Sequence, residues 1–146
     1  MKESRQVYKL VLTERQAKLL SWACDQMARI IQGQDATYQD FMEMAWEKRC
    51  KEATGKSMDK SWDGGWYNMR RDAEKLSKEI KKRFWGLEAN RQNGIHYDDS
   101  ADVIWAMHLV LRHQLWKDRG DKSDFTVDAD EPMQLGSEPL ATINRL

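Results

Sequence analysis

The stretch SADVIWAMHLVLRHQLWK, Ser100–Lys117, decides the fold. Ile104, Met107, His108, Leu111 and Leu115 recur at the spacing of one helical face, while Trp105, Leu109 and Trp116 occupy a second side. A helix that is apolar around most of its circumference is enclosed by other helices or by another subunit. This one is therefore expected in the middle of a bundle or at a subunit interface, capped by Ser100 or Asp99 and ended before Gly120.

Upstream, three further helices are expected to surround it. Thr13-Glu14-Arg15-Gln16 has the form of a capping box, in which Thr13 and Gln16 satisfy the first free amides reciprocally. The helix it opens reaches about Ile31, stops near Gly33, and has Ala17, Leu20, Cys24, Met27 and Ile31 as its core stripe. Trp22 falls on the opposite face, beside Lys18 and Arg29, where a monomer would show water. Asp35 is the expected N-cap of a second helix running to about Ala53, with Tyr38, Phe41, Met42, Ala45 and Trp46 inward. After a glycine-bearing loop at 54–65, Trp66, Met69, Ala73, Leu76, Ile80 and Phe84 form the stripe of a third helix over 66–85. Arg71, Lys75, Lys78 and Lys82 line its other side, and Glu74–Lys78 and Glu79–Arg83 are i,i+4 pairs suited to a solvated face.

The ends read differently. Residues 1–13 are a lead-in containing a short strand, Val7-Tyr8-Lys9-Leu10-Val11-Leu12, from its weak alternation. Residues 121–146 are an extended acidic tail with Pro132 and Pro139, and Phe125-Thr126-Val127 has the composition of a second short strand. The expected fold is thus mainly α: one domain over 1–146, a compact bundle of about four helices with an N-terminal strand and a C-terminal tail.

Composition narrows the function classes. With 40% hydrophobic and 33% charged residues the chain is globular, and no apolar run approaches the roughly 20 residues of a membrane helix. Met1-Lys2-Glu3-Ser4-Arg5 leads into no apolar signal segment, which predicts a cytoplasmic protein with no membrane partner. Cys24 and Cys50 lack CxxC spacing and read as free buried thiols. Net charge is zero, which argues against a dedicated nucleic-acid binder. Residues 66–97 carry eight Lys/Arg against four Asp/Glu, and residues 98–146 five against ten, so the middle and the tail can pair.

No GxSxG, P-loop or GxGxxG is present, and no two acidic residues stand out as an acid/base pair, so the reading leans against an enzyme and expects no cofactor. His108 and His113 are five apart and do not share a helical face. His96 with Asp98 and Asp99 offers three donors in one turn without a fourth, so no metal site is expected.

Binding chemistry is better represented. Arg112 shares a face with Trp105, seven residues earlier, and Trp116, four later. A guanidinium flanked by indoles stacks and still offers donors to a phosphate or carboxylate, and His113 adds another donor. The alternative is an Arg112 packed on the indoles and paired with an aspartate of the tail. Arg29 and Gln34 at the end of the first helix, with Asn90, Arg91 and Asn93 in the turn before the last, complete a candidate set. Cations for phosphate, amides for base edges and a ring for stacking are what a nucleotide-like ligand requires. Seven tryptophans in 146 residues also suit an oligomer interface, and Trp22 is the candidate partner surface.

The chain resembles small helical proteins of tailed phages and prophages. The resemblance lies in Leu12-Thr13-Glu14-Arg15-Gln16, Gly33-Gln34, Asn93-Gly94-Ile95 and Leu111-Arg112-His113. It continues through Thr126-Val127-Asp128, Asp130-Glu131-Pro132 and Glu138-Pro139-Leu140. The glycine-bearing stretch at 55–65 is an elaboration beside that pattern. The resemblance supplies no catalytic residues. It implies a protein of a bacterial host's cytoplasm: a homo-oligomer that sequesters a phosphorylated nucleotide-like signal of host defence. Its alternative is a module that binds a host protein through Trp22.

Overall fold

A computed structural model of the chain describes residues 6–120 and 127–144. The chain is mainly helical, with four helices and, among the described residues, no strand: α1 (Glu14–Ile31), α2 (Ala36–Thr54), α3 (Gly65–Trp85) and α4 (Asp99–Asp118). Single 3-10 turns at Trp62–Gly64 and Val127–Ala129 precede α3 and follow α4. No described helix is long and apolar enough to cross a membrane.

The helices form two pairs. α1 packs along α4, α2 along α3, and α1 meets α2 over a much smaller area. The close neighbours of α4 are α1 and the 127–129 turn, so α4 is not the hub of one four-helix core as its composition predicts. In place of a third helix, the returning tail holds Asp99, Arg112 and His113 of α4.

Each boundary has a local cause. Thr13 Oγ1 accepts from the Gln16 amide at 3.2 Å while Gln16 Oε1 accepts from the Thr13 amide at 2.8 Å, the expected capping box. Asp98, rather than Asp99 or Ser100, caps α4 by accepting from the Ala101 amide at 3.1 Å. Asp35 stands at the N-cap position of α2, as expected, but makes no side-chain capping hydrogen bond. Its backbone is already helical, and its carboxylate turns instead to Lys81 Nζ, 3.3 Å away. Gly33 takes φ +73° at the turn between α1 and α2, and a Cβ there would lie 2.9 Å from Leu87 and 3.0 Å from Trp85. Trp85 fastens the two pairs at this point by donating its indole N–H to the Ile31 carbonyl at 3.2 Å.

The α2–α3 seam is more polar than its apolar stripe predicts. Glu43 accepts from Trp66 Nε1 and Arg70 Nη1, both at 2.7 Å, and Gln39 Nε2 donates to Ser77 Oγ at 3.1 Å. Lys81, almost wholly buried, donates to Asp35 and to the Ala89 carbonyl at 3.1 Å. These groups satisfy one another, which removes most of the cost of enclosing them. The buried face of α3 consequently runs through Ala73, Ser77 and Lys81, and Phe84, expected inward, is 71% exposed.

The ends also depart from expectation. Residues 6–13 carry no strand, and Val7 is 89% exposed. Weak alternation does not make a strand when no described neighbour supplies the ladder hydrogen bonds. Phe125 and Thr126 of the second expected strand lie outside the described residues, and Val127 begins a 3-10 turn. Residues 127–144 lie over the surface of α4. They return along α4 antiparallel to it, with Asp128 at its C-terminal half and Gly136 against Val103 near its start. There Asp99 accepts from the Ser137 amide and hydroxyl, both at 2.6 Å.

Candidate functional site

A cleft of about 320 Å³ opens along the α1–α4 seam. The stripe Ala17, Ser21, Cys24 and Ala28 faces α4, so residues displaced to one side of it (Lys18, Trp22 and Asp25) form one wall. α4 supplies His108, Arg112 and Leu115 at one-turn spacing, its end supplies Arg119, and the returning tail contributes Asp128. Three cations and two carboxylates thus line the cleft beside an indole and an imidazole.

His108 reaches across the floor. Its Nδ1 lies 3.0 Å from both the carbonyl and the hydroxyl of Ser21. Burial holds the imidazole below its ordinary pKa, partly offset by the bond to the Ser21 carbonyl, so the ring is neutral at pH 7. With the Nδ1 proton donated to that carbonyl, Nε2 is left as an acceptor.

Arg112 and Arg119 converge on one carboxylate. Arg112 Nε lies 3.3 Å from Asp128 Oδ1, and Arg119 Nη2 donates to Oδ2 at 3.1 Å. Arg112 Nη2 also donates to the Val127 carbonyl at 2.9 Å. Of the two readings of Arg112, the pairing with a tail aspartate is thus present, without a sandwich between indoles. The cation over Trp105 is Arg29, 5.2 Å from the ring centroid, and Trp116 stacks on His113 at 5.6 Å and 20°. His113 is buried, with Nδ1 3.0 Å from the Asp128 carbonyl, where it holds the tail.

Arg29 and Gln34 form a second polar group at the end of α1. Arg29 donates to Asp25 at 2.8 Å and to Gln34 Oε1 at 2.9 Å, and Gln34 passes a bond to Gln32 at 3.0 Å. Asn93 joins through its backbone amide, which donates to the Gln32 carbonyl at 2.9 Å. Asn90 and Arg91 lie on the exposed turn, and neither lines the cleft. The candidate set therefore divides: Arg112 in the cleft, His113 bonded to the tail with Trp116 stacked on it, and Arg29, Gln34, Trp105 and Asn93 near the junction of the helix pairs. Asp25 connects the first group to the last, since it lines the cleft and holds Arg29.

Trp22 lines the cleft and meets Phe41 edge-on, with centroids 5.7 Å apart. Sequence reasoning passed over Lys18, Ser21, Asp25, His108, Leu115, Arg119 and Asp128. A signal was available in the i, i+4, i+7 spacing of Lys18, Trp22 and Asp25 and of His108, Arg112, Leu115 and Arg119, two polar-flanked stripes at the edges of apolar faces. Cys24 and Cys50 are free and buried, and no group of three or more potential metal ligands occurs among the described residues. Comparison of the chain with protein-family models, with curated proteins and with solved structures gives no match.

Proposed function

We propose that the α1–α4 cleft binds, without transforming it, a small phosphorylated ligand that carries a planar ring. The observation that carries this reading is the meeting of the Trp22 ring with Lys18, Arg112 and Arg119 in one cleft. Guanidinium groups grip phosphate oxygens through paired donors, and a half-exposed indole offers a stacking face. A neutral His108 can accept a bond from a ligand hydroxyl or amide without adding charge. The volume lies at the lower end of the roughly 300–1,000 Å³ of small-molecule sites, which limits the occupant to about one nucleotide. In a phage setting such a protein sequesters a nucleotide-derived signal of host defence.

Calorimetric titration with ADP and with pyrophosphate tests the reading, alongside native mass spectrometry of gently purified protein. ADP is expected to bind more tightly than pyrophosphate, and Arg112→Ala to weaken it about 100-fold with the helical circular dichroism retained. No binding of either probe together with no co-purified phosphorylated mass, or unchanged affinity in Arg112→Ala, would overturn it.

A second reading rests on Leu19, Trp22, Phe41 and Met44, which are exposed apolar side chains on α1 and α2. It makes Trp22 the anchor of a host-protein complex, by the usual logic of aromatic hot spots. Trp22→Ala would then abolish that complex while ADP binding is absent from the wild type.

A further inference from the structure

Four N–H groups at the C-terminal end of α4 close on two consecutive residues of the returning tail. Arg112 Nη2 donates to the Val127 carbonyl at 2.9 Å, and His113 Nδ1 to the Asp128 carbonyl at 3.0 Å. The imidazole carries its proton on Nδ1 there, because a carbonyl only accepts. Arg112 Nε and Arg119 Nη2 lie 3.3 and 3.1 Å from the two oxygens of the Asp128 carboxylate. Two guanidinium groups and a ring N–H around clustered oxygens are also a donor set that suits a phosphate. At present Val127 and Asp128 supply those oxygens.

The segment that carries them is loosely seated. Val127 and Met133 are 64% and 65% exposed, so residues 127–137 gain little from apolar burial. Arg112 Nε faces Asp128 without forming a hydrogen bond, and His113 Nε2 and Trp116 Nε1 are buried with no hydrogen-bond partner. Buried groups left unpaired subtract from the stability of the closed seam. Polar clasps fasten the segment at both ends: the arginines on Asp128, and Asp99 accepting from the Ser137 amide and hydroxyl at 2.6 Å. Asp99 opens α4, roughly 20 Å along the helix from Arg112, and does not line the cleft. Linked contacts reinforce each other, since each holds the other end close, so weakening one clasp lowers the occupancy of the other.

We propose that residues 127–137 form a displaceable strap, with Asp128 occupying the phosphate subsite of the cleft until a ligand takes it. The ligand's phosphate replaces the Asp128 carboxylate on Arg112 and Arg119 and accepts from the N–H groups that now hold the Val127 and Asp128 carbonyls. This rests on the binding reading of the cleft and adds to it a closed, ligand-free state with a latch remote from the ligand. Apparent affinity is then the intrinsic affinity reduced by the fraction of molecules in which the strap is lifted. The Asp99–Ser137 clasp sets that fraction without touching the ligand.

Calorimetric titration of the full 146-residue protein, of Ser137→Ala and of Asp99→Ala, each with pyrophosphate and with ADP, tests it. Ser137→Ala removes one bond of the remote clasp and is expected to bind both probes about 3-fold more tightly than the wild type. Asp99→Ala removes both bonds and is expected to bind them about 10-fold more tightly. Helical circular dichroism should be unchanged, and the exposed Ser137 position guards against a helix weakened by the change at Asp99. Hydrogen exchange of the unmodified protein is the second measurement. Either probe is expected to speed exchange of the Asp130 amide, bonded to the Val127 carbonyl, and of the Ser137 amide, bonded to Asp99. Equal affinity in all three proteins, or strap amides that exchange more slowly with a probe bound, would overturn the strap and leave the cleft reading standing. Failure of both probes to bind even Asp99→Ala would overturn the two together.

Discussion

On the proposed reading Asp128 competes with an incoming phosphate for Arg112 and Arg119, and Asp128→Asn separates the two roles of that carboxylate. In the resting protein it lies 3.3 Å from Arg112 and 3.1 Å from Arg119, with its side chain and that of Arg112 each about three-quarters buried. Partly exposed ion pairs contribute about 0.2–1 kcal/mol each. Loss of the charge should therefore cost about 1 kcal/mol of stability, or roughly 2–4 °C in Tm. The effect on binding has the opposite sign. A phosphate seated against the same arginines lies about 5 Å from the Asp128 charge, a repulsion of about 1–2 kcal/mol at the high effective dielectric of a part-exposed site. Removing it should tighten ADP or pyrophosphate binding roughly 5- to 30-fold. Paired calorimetric titration and thermal melts of the wild type and Asp128→Asn provide the assay. Affinity that falls or stays level while Tm drops would refute the argument, because Asp128 would then be part of the ligand's support rather than its competitor.

Three further outcomes follow from the structure. Gly33→Ala would force a Cβ against Leu87 and Trp85 at positive φ, and should cost about 2–4 kcal/mol in denaturant titration. His108 is held below its ordinary pKa by burial. As pH falls below about 6.5 the unfolded chain takes up a proton that the native ring does not, so stability declines from there down to the lowered folded pKa, by at most about 1.4 kcal/mol per unit. Asp99, held low by the Ser137 hydroxyl and amide, adds stability above about pH 4 that is lost as pH falls through its folded pKa. Melting curves of the wild type and His108→Gln across pH 5–7.5 should differ in slope, the variant being flatter.

Much of the helical skeleton was legible because helix ends are written locally. Thr13 and Gln16 open α1, and Gly33, Gly55 and Gly86 each stand in a left-handed conformation where a helix has just ended. What could not be read was partnership. The seam of α2 and α3 is built from Asp35, Gln39, Glu43, Arg70, Ser77 and Lys81, residues that hydropathy assigns to water, so Leu76 and Phe84 were placed inward in error. Arg29 and Trp105 meet only because α1 lies along α4, a pairing that no local pattern encodes. The same pairing assembles the cleft. Arg112 was legible as a candidate from its neighbours on α4, and Lys18 and Asp25 carried a signal in their spacing on α1, whereas Asp128 became a candidate only when distant segments were brought together.

That separation along the chain also sets an order of assembly. α2 and α3 are joined by a short loop, and the Glu43–Trp66 bond spans 23 residues. The Ser21–His108 bond spans 87, about two doublings of loop length and roughly 1.2 kcal/mol more closure entropy. The local hairpin should therefore form first and draw the two outer helices together. During vectorial synthesis the wall made by Lys18, Trp22 and Asp25 emerges early and waits for Arg112, Arg119 and Asp128. A nascent chain released before α4 can hold the α2–α3 hairpin yet has only one side of the cleft. Pulse-labelled exchange on ribosome-stalled lengths would show protection of α2 and α3 before that of α1.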